Sequence, residues 1–481
     1  MIPLTLAEVA TAVGGSMHDI PDAELCVTGP VVIDSREAVP GALFAAFAGE
    51  RADGHDFAAQ VVAAGAVAVL GTRPVGVPAI VVDDVQTALG ALAKHVIERL
   101  GATVVALTGS AGKTSTKDLV AQLLQKAAPT VWTPGSLNNE IGLPLTALRA
   151  DESTRHLVLE MGARGIGHIR YLTGLTPPRI GVVLNVGSAH IGEFGGREQI
   201  AQAKGELVEA LPAAADGGIA VLNADDPLVL AMASRTRARV VTFGESEPAT
   251  IRALAARPND RGQPLFTLRT PSGCADVTLR LYGEHHVSNA LAAAAVASEL
   301  GMPVDEIATA LSAAGSLSHW RMEVTERPDG VTVVNDAYNA NPESMRAALR
   351  ALVAMGRSSQ ARGGRTWAVL GKMAELGGES LVEHDAVGRL AVRLNVSKLV
   401  AVGGTEAAWL QMGAYNEGSW GEESVHVSDA KAAIDLLRSE VRPGDVVLVK
   451  ASRSVGLESV ALALLEAPDG FDGPAREGAA R

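Results

Sequence analysis

The sequence predicts an α/β protein of about three domains, on three observations. The chain has 481 residues, more than one compact core accommodates. Continuous apolar runs such as "IGVVLNV" alternate with stretches of helical periodicity, as expected for strands buried on both faces of a mostly parallel sheet covered by helices. That rhythm restarts near residue 315, which makes a second doubly wound unit.

From residue 1 to 98, the short runs "PVVID", "ALFAAFAG", "AVAVLG" and "AIVVDD" alternate with Ala-rich helical stretches and make a small N-terminal α/β domain. "ERLGATVVAL" reads as a helix end, a turn and a new strand, so the central domain is assigned to 99–314. Its strands are "VVALTG", "HLVLE", "IGVVLNV", "GIAVLN" and "ARVVTFG". The third domain, 315–481, carries "GVTVVND", "TWAVLG", "KLVAVGG" and "DVVLVK", each followed by a helical stretch. "NANPES" reads as a helix start, with Asn341 as cap, Pro342 in the first turn, and Met345, Ala348, Leu349 and Leu352 facing inward. "GRSSQARGGR" is expected to be a mobile loop and "APDGFDGPAREGAAR" a frayed tail.

Composition excludes several classes. A chain that is 47% hydrophobic and 20% charged is suited to a soluble globular fold rather than disorder. Its net charge of −13 argues against a nucleic-acid partner. Cys26 and Cys274 are too few for a disulfide framework or a thiolate metal cluster, which fits a reducing compartment. "MIPLTLAEVATAVGG" lacks the basic start and apolar centre of a signal peptide, and no apolar run is long enough to span a bilayer. The expectation is a cytoplasmic protein without membrane insertion.

"VVALTGSAGKTSTKDLV", residues 104–120, almost fits the phosphate-loop pattern G-x-x-x-x-G-K-[ST] but has Leu107 where the first glycine belongs. The physical parts are nevertheless in order: a strand, Gly109 and Gly112 letting amides converge, Lys113 as a point charge, and Thr114 offering a hydroxyl to magnesium. The helix that follows has Leu119, Val120, Leu123 and Leu124 on one face. In open parallel sheets, ligands gather beyond the carboxyl ends of the strands. Glu160 ends "HLVLE" and His190 ends "IGVVLNVGSAH", so both are candidates for that rim, although either alone could be an ordinary strand-end or loop residue. In "REQIAQAKGELVEALP", Lys204 lies inside the stripe formed by Ile200, Ala203, Leu207, Val208 and Leu211. Such a lysine either snorkels to water or, if buried, loses basicity and exposes an amine able to take up carbon dioxide as a carbamate.

"TGSAGKTSTKD", "SLNNEIGLPLTAL", "LEMGARGIGHI", "NVGSAHIGEFG", "QAKGEL", "GEHHVSNALAAA", "SHWRMEV" and "VNDAYNANPESM" follow one another in an order that resembles the Mur ligases. With "DSREAVPGALFAAFAGERADGHDF" and "KASRSVGLE", the resemblance covers nearly the whole chain, and its specificity lies in the succession of motifs. It implies an N-terminal domain for a uridine-nucleotide sugar, a central P-loop-type ATPase domain and a C-terminal Rossmann-like domain for the amino substrate. The implied reaction is ATP-dependent ligation in peptidoglycan precursor synthesis. ATP phosphorylates the terminal carboxylate of UDP-N-acetylmuramoyl-tripeptide, and D-alanyl-D-alanine attacks the acyl phosphate. A monomer is expected.

The resemblance also implies site residues. Lys113, Glu160, His190 and Lys204 are the catalytic set. One Mg²⁺ is expected at Thr114 and Glu160, and a second at His190 and a carbamylated Lys204. The loop Thr108, Gly109, Ser110, Ala111, Gly112, Lys113, Thr114 and Ser115 would hold the ATP phosphates, with Asn138 or Asn139 beside the γ-phosphate. Asn289 matches the adenine contact, Arg321 a phosphate contact and Asp336 the ribose contact. Asp34, Ser35, Arg36, Asp53, Gly54 and His55 match the uridine-nucleotide region, although "VPGALF" and "ADGHDF" are also ordinary turn sequences. Tyr338, Asn339, Glu375, His384, Ser452 and Arg453 are candidates for the amino-substrate side. The chain departs from the family pattern at His286, where Asn is usual, and at Lys372, where an acidic residue is expected.

Four other readings stay open on sequence alone: the ligase that adds the third peptide residue, a folylpolyglutamate-type ligase, a regulatory or motor P-loop NTPase, and a nucleotide-sensing binding protein without catalysis. "DNPR", expected of the diaminopimelate-adding enzyme, does not occur. Neither does the N-K-x-D base-reading motif of a GTPase.

Overall fold

In the computed structural model, residues 1–466 are described except 51, 188–193, 362 and 420 and the side chains of 358 and 359. Three larger sheets succeed one another along the chain, with a two-stranded pair, Leu4–Thr5 and Cys26–Val27, beside the first. In the five-stranded sheet, Val31–Val32, Leu43–Ala45, Ala68–Gly71 and Ala79–Val81 are parallel, and Ser16–His18 closes the edge antiparallel. Helix Val85–Leu100 starts at an Asp84 cap whose carboxylate accepts from the Thr87 amide, and ends at Gly101 in the left-handed region. A single apolar cluster joins this helix to Leu43 and Leu70 on one side and to Val104, Leu157 and Leu159 on the other. The first sheet therefore docks on the central one through shared core.

The central sheet has nine strands, with Thr103–Thr108 between His156–Glu160 and Ile180–Val183. All pairings from Thr130–Trp132 across to Ile251–Pro258 are parallel, so the strand ends that carry chemistry share one rim. Two further strands, Pro264–Thr270 and Gly273–Thr278, extend the sheet antiparallel. The sequence runs named above miss Ile251–Thr278, because its strands alternate buried and half-exposed residues and present no continuous apolar run. Helices Lys113–Ala127 and His285–Glu299 pack together beneath the sheet. Leu119, Val120, Leu123 and Leu124 are buried there, as their spacing predicts. The Ala-rich face of His285–Glu299 lets the second helix approach closely, burying Ala290 through Ala297.

In the six-stranded third sheet all pairings are parallel except that of the edge strand Glu323–Glu326 with Thr332–Asn335. Asn341 caps the following helix by accepting the Ser344 amide at 2.8 Å, and Met345, Ala348, Leu349 and Leu352 are buried. That helix, Pro342–Gln360, corrects one expectation: it continues through the first half of "GRSSQARGGR" rather than giving way to a loop at Gly356. Gly356 fits because its missing Cβ would lie 2.2 Å from Thr366 Cγ2. The stretch read as a frayed tail lies outside the described residues. Among the described residues, no helix is long and apolar enough to cross a membrane.

Candidate active site at the phosphate loop

Strand Thr103–Thr108 delivers the chain into a turn, Gly109 to Gly112, and directly into helix Lys113–Ala127. Leu107 is the last residue but one of the strand, fully buried and in register with Glu160. The first glycine of the strict pattern is dispensable because this position is still strand. Gly112 is obligatory: its φ is +80°, and a Cβ would stand 2.6 Å from Asn289 Oδ1. Asn185 braces the loop, accepting the Ala111 amide at 2.9 Å and donating to the Ala111 carbonyl at 3.1 Å, while Ser110 Oγ accepts the Gly187 amide. The result is a helix N-terminus with free amides, a natural seat for phosphate. Lys113 Nζ folds back to donate to the Gly109 carbonyl at 2.8 Å, and burial lowers its basicity, opposed by the Glu160 carboxylate.

Beside the loop, Glu160 is 1% exposed at the end of its strand. Its Oε2 accepts from the Thr114 hydroxyl at 2.8 Å and its Oε1 from Asn138 Nδ2 at 2.8 Å. Asn139 does something else: its Oδ1 accepts the Gly142 amide at 2.8 Å and turns the chain into the next helix. Between Asn138 and Asn139, therefore, Asn138 is the one aimed at the rim. Arg321 arrives from the crossover to the third domain, donating to Thr114 Oγ1 at 3.2 Å and Ser136 Oγ at 3.3 Å. Its guanidinium lies 4.1 Å over the Tyr338 ring. Trp320 and Met322, on either side of Arg321, both have left-handed backbone (φ +58° and +48°), a strained geometry that the surrounding contacts must hold.

Lys204 is 4% exposed within helix Arg197–Glu209 and has no hydrogen-bond or ion-pair partner among the described residues. Burial and the nearby Lys113 charge hold its amine well below the ordinary lysine range. His190 lies outside the described residues. Two residues after Lys204, Glu206 is buried and accepts the Gly167 and Arg170 amides at 2.6 and 3.1 Å, capping helix His168–Leu175.

The third domain meets the loop through Asn341 Nδ2, 3.5 Å from the Ser110 carbonyl. Asp336 is 8% exposed; its carboxylate accepts Lys450 Nζ at 2.6 Å and the Met322 amide at 3.1 Å. Lys450 also donates to the Asn339 carbonyl at 2.9 Å. Asp336 thus holds the Arg321 segment against the sheet. Ser452 Oγ accepts the Ala374 amide at 2.9 Å and donates to the Ala340 carbonyl, and Arg453 pairs with Glu458 while stacking 4.2 Å over Trp320. Lys372, at the departing position, pairs with Glu406 at 2.5 Å. Glu375 sits in a left-handed turn with φ +63°.

His384 lies inside the third domain. It is fully buried, its Nε2 accepts the Met373 amide at 2.9 Å and its Nδ1 donates to the Ser380 carbonyl at 2.5 Å. Both ring nitrogens hold partners inside the domain, and the bond to Met373 shapes the 371–374 turn. His55 behaves likewise: Nδ1 donates to Asp53 at 2.6 Å and Nε2 accepts the Thr72 amide at 2.9 Å. Asp53 pairs in addition with Arg73 at 2.9 Å, and a Cβ on Gly54 would meet backbone at 2.8 Å. Asp34 caps a short turn, Ser35–Glu37, and pairs with the exposed Arg36, which lowers its pKa to about 2.

Three residues missed by sequence reasoning serve this site: Asn185, Lys450 and Lys117. Lys450 ends a fully buried strand, and Lys117 lies inside the apolar stripe of its helix, with Val120, Ala121 and Leu124 three, four and seven positions on. That is the same anomaly that singles out Lys204.

Comparison with known proteins agrees with this arrangement. The family model described as Mur ligase middle domain matches residues 107–297, that of the Mur ligase glutamate ligase domain 320–453, and that of the Mur ligase family catalytic domain 30–97. A UDP-N-acetylmuramoyl-tripeptide–D-alanyl-D-alanine ligase of Mycobacterium leprae is 50% identical over 96% of this chain and 98% of its own. The Escherichia coli protein of the same name is 36% identical over 97% and 99%. Among solved structures, MurF from Acinetobacter baumannii superposes with a TM-score of 0.86 at 32% identity, covering 97% of this chain and 99% of that one. A Thermotoga maritima MurF ligase in complex with ADP gives 0.78 at 31% identity, covering 91% and 97%.

Proposed function

The chain belongs to the Mur ligase family, and we propose that it uses ATP to join D-alanyl-D-alanine to the terminal carboxylate of UDP-N-acetylmuramoyl-tripeptide, in peptidoglycan precursor synthesis. The observation that carries this reading is the likeness, end to end, to relatives of that name; the meeting of Thr114, Glu160, Asn138 and Arg321 at the phosphate loop supports it.

An ionised carboxylate is a poor acylating agent. Its oxygen attacks the γ-phosphorus of ATP, the bond to ADP breaks, and the mixed anhydride that forms has a good leaving group. The amine of D-alanyl-D-alanine then adds to the acyl carbon, and the tetrahedral intermediate expels inorganic phosphate as the nitrogen loses its proton. Loop amides and Lys113 hold the phosphates, and Arg321 and Asn138 stabilise charge that builds on the transferred group. Buried oxygen donors on Thr114 and Glu160 suit a hard divalent cation, and Mg²⁺ there would neutralise phosphate charge. The buried amine of Lys204, depressed in basicity, suits a carbamate that with His190 would hold a second Mg²⁺. Asn289, whose Oδ1 lies against Gly112, would contact the adenine of the nucleotide and Asp336 its ribose.

The uridine nucleotide binds the N-terminal domain around Asp34, Ser35, Arg36 and Asp53, with His55 bracing that turn. The amino substrate binds the third domain near Tyr338, Asn339, Glu375 and Arg453. The enzyme works as a cytoplasmic monomer. Mass spectrometry of products from a panel of UDP-muramoyl peptides and amino donors, glutamate included, tests the assignment. The expected product is UDP-N-acetylmuramoyl-pentapeptide, with ATP consumed only when both acceptor and dipeptide are present. ATP hydrolysis without them, or glutamate addition, contradicts it.

A further inference from the structure

We infer that Lys117 and Asp118, adjacent on the helix behind the phosphate loop, are a positioning pair that fixes two separate segments on the site; the inference rests on the function proposed above. Lys117 is 0% exposed and Asp118 3% exposed, a buried lysine beside a buried aspartate in a helix where they are the only charged residues among those buried. Their side chains meet at 2.9 Å as an ion pair. Lys117 Nζ also donates to the Thr133 carbonyl at 2.7 Å and the Gly135 carbonyl at 2.8 Å. These carbonyls open the turn that carries Ser136, which accepts from Arg321, and Asn138, which donates to Glu160. Thr133 Oγ1 accepts the Glu160 amide as well, at 3.2 Å. Lys117 therefore sets the backbone from which Glu160 and Arg321 receive their partners.

Asp118 Oδ2 reaches the other way, accepting the Ser318 amide at 3.1 Å. Ser318 lies three residues before Arg321 in the crossover to the third domain. One turn further along the helix, Gln122 clamps Gly315 by exchanging two hydrogen bonds, 2.9 and 3.1 Å. A buried charge pair costs desolvation and is replaceable by apolar groups for stability alone. This one touches neither the nucleotide site nor solvent. Its bonds all run to the two segments that bring Asn138 and Arg321 to the phosphate loop.

The test separates positioning from stability with Lys117→Met, Asp118→Asn and the apolar double variant Lys117→Met/Asp118→Leu, measured for thermal midpoint, kcat per folded enzyme and KM for ATP. Loop amides and Lys113 are intact in all three, so KM for ATP stays within about threefold. Loss of fixed Asn138 and Arg321 lowers kcat by about 10²-fold in Lys117→Met and in the double variant, and less in Asp118→Asn, which keeps its acceptor for Ser318. The double variant regains the wild-type midpoint without regaining kcat. A folded variant with kcat within twofold of wild type, in the double variant above all, overturns the inference. Should Lys117→Met fail to fold, Asp118→Asn and the double variant decide. Loss of pentapeptide synthesis in the wild-type protein would instead refute the function itself.

Discussion

The Thr114 hydroxyl donates to Glu160 Oε2 across 2.8 Å, joining the first turn of the phosphate-loop helix to the neighbouring strand end. Two oxygens so placed make a seat for a hard cation, and the methyl of Thr114 contributes nothing to it. Thr114→Val is expected to lower kcat by about 10²- to 10³-fold and raise the Mg²⁺ concentration needed for half activity, while Thr114→Ser stays near wild type. Steady-state rates over a Mg²⁺ titration check this; equal Mg²⁺ dependence in Thr114→Val contradicts it.

Arg321 bridges Thr114 and Ser136 while stacked on Tyr338. Both bonds leave one guanidinium nitrogen; a lysine keeps the charge but lacks the planar group that stacks on Tyr338 while donating to both hydroxyls. Arg321→Lys is expected to cut kcat/KM by about 10- to 10²-fold, and Tyr338→Leu by less. Steady-state kinetics measure both, and wild-type efficiency in Arg321→Lys contradicts a role for the planar guanidinium.

Lys204 is buried without a described partner. Lys204→Ala should lose activity and regain part of it when short carboxylic acids fill the space of a carbamate. Full activity without such acids means that Lys204 is structural.

His285 faces Asp336, Lys450 and His286, and burial outweighs the Asp336 charge to lower its pKa from 6.5 to about 4. The folded state then binds fewer protons than the unfolded chain between those values. Stability rises with pH there and is lost as pH falls from about 6.5 to about 4. His285→Gln should therefore show a smaller drop in melting temperature between pH 7 and pH 5 than wild type. Equal drops contradict the assignment.

Much of the site is legible in the sequence wherever it rests on a strand end or a helix start. Continuous apolar runs mark the strands and their ends mark the rim, so Glu160 and Thr114 stand out; a polar residue in a helical stripe marks Lys204. The same signal marks Lys117, but its partners are backbone carbonyls 16 and 18 positions away, invisible to any local pattern. His55 is singled out by the family resemblance and His384 as a candidate amino-substrate contact, neither by a local pattern. Only packing reveals that their ring nitrogens already hold Thr72 and Met373. The antiparallel extension over 251–278 is missed because half-buried strands carry a period of two rather than an apolar run.

Domain closure is expected because the proposed nucleotide contacts come from separate sheets. Small-angle scattering should show compaction when a non-hydrolysed ATP analogue and the UDP-muramoyl tripeptide bind together; an unchanged profile contradicts it.

The central claim is that phosphate from ATP activates the tripeptide carboxylate, and oxygen transfer tests it most directly. With ¹⁸O placed in that carboxylate, synthesis of the pentapeptide should carry one labelled oxygen into each inorganic phosphate released. Amide formation with every label retained in the peptide or lost to water would contradict the account.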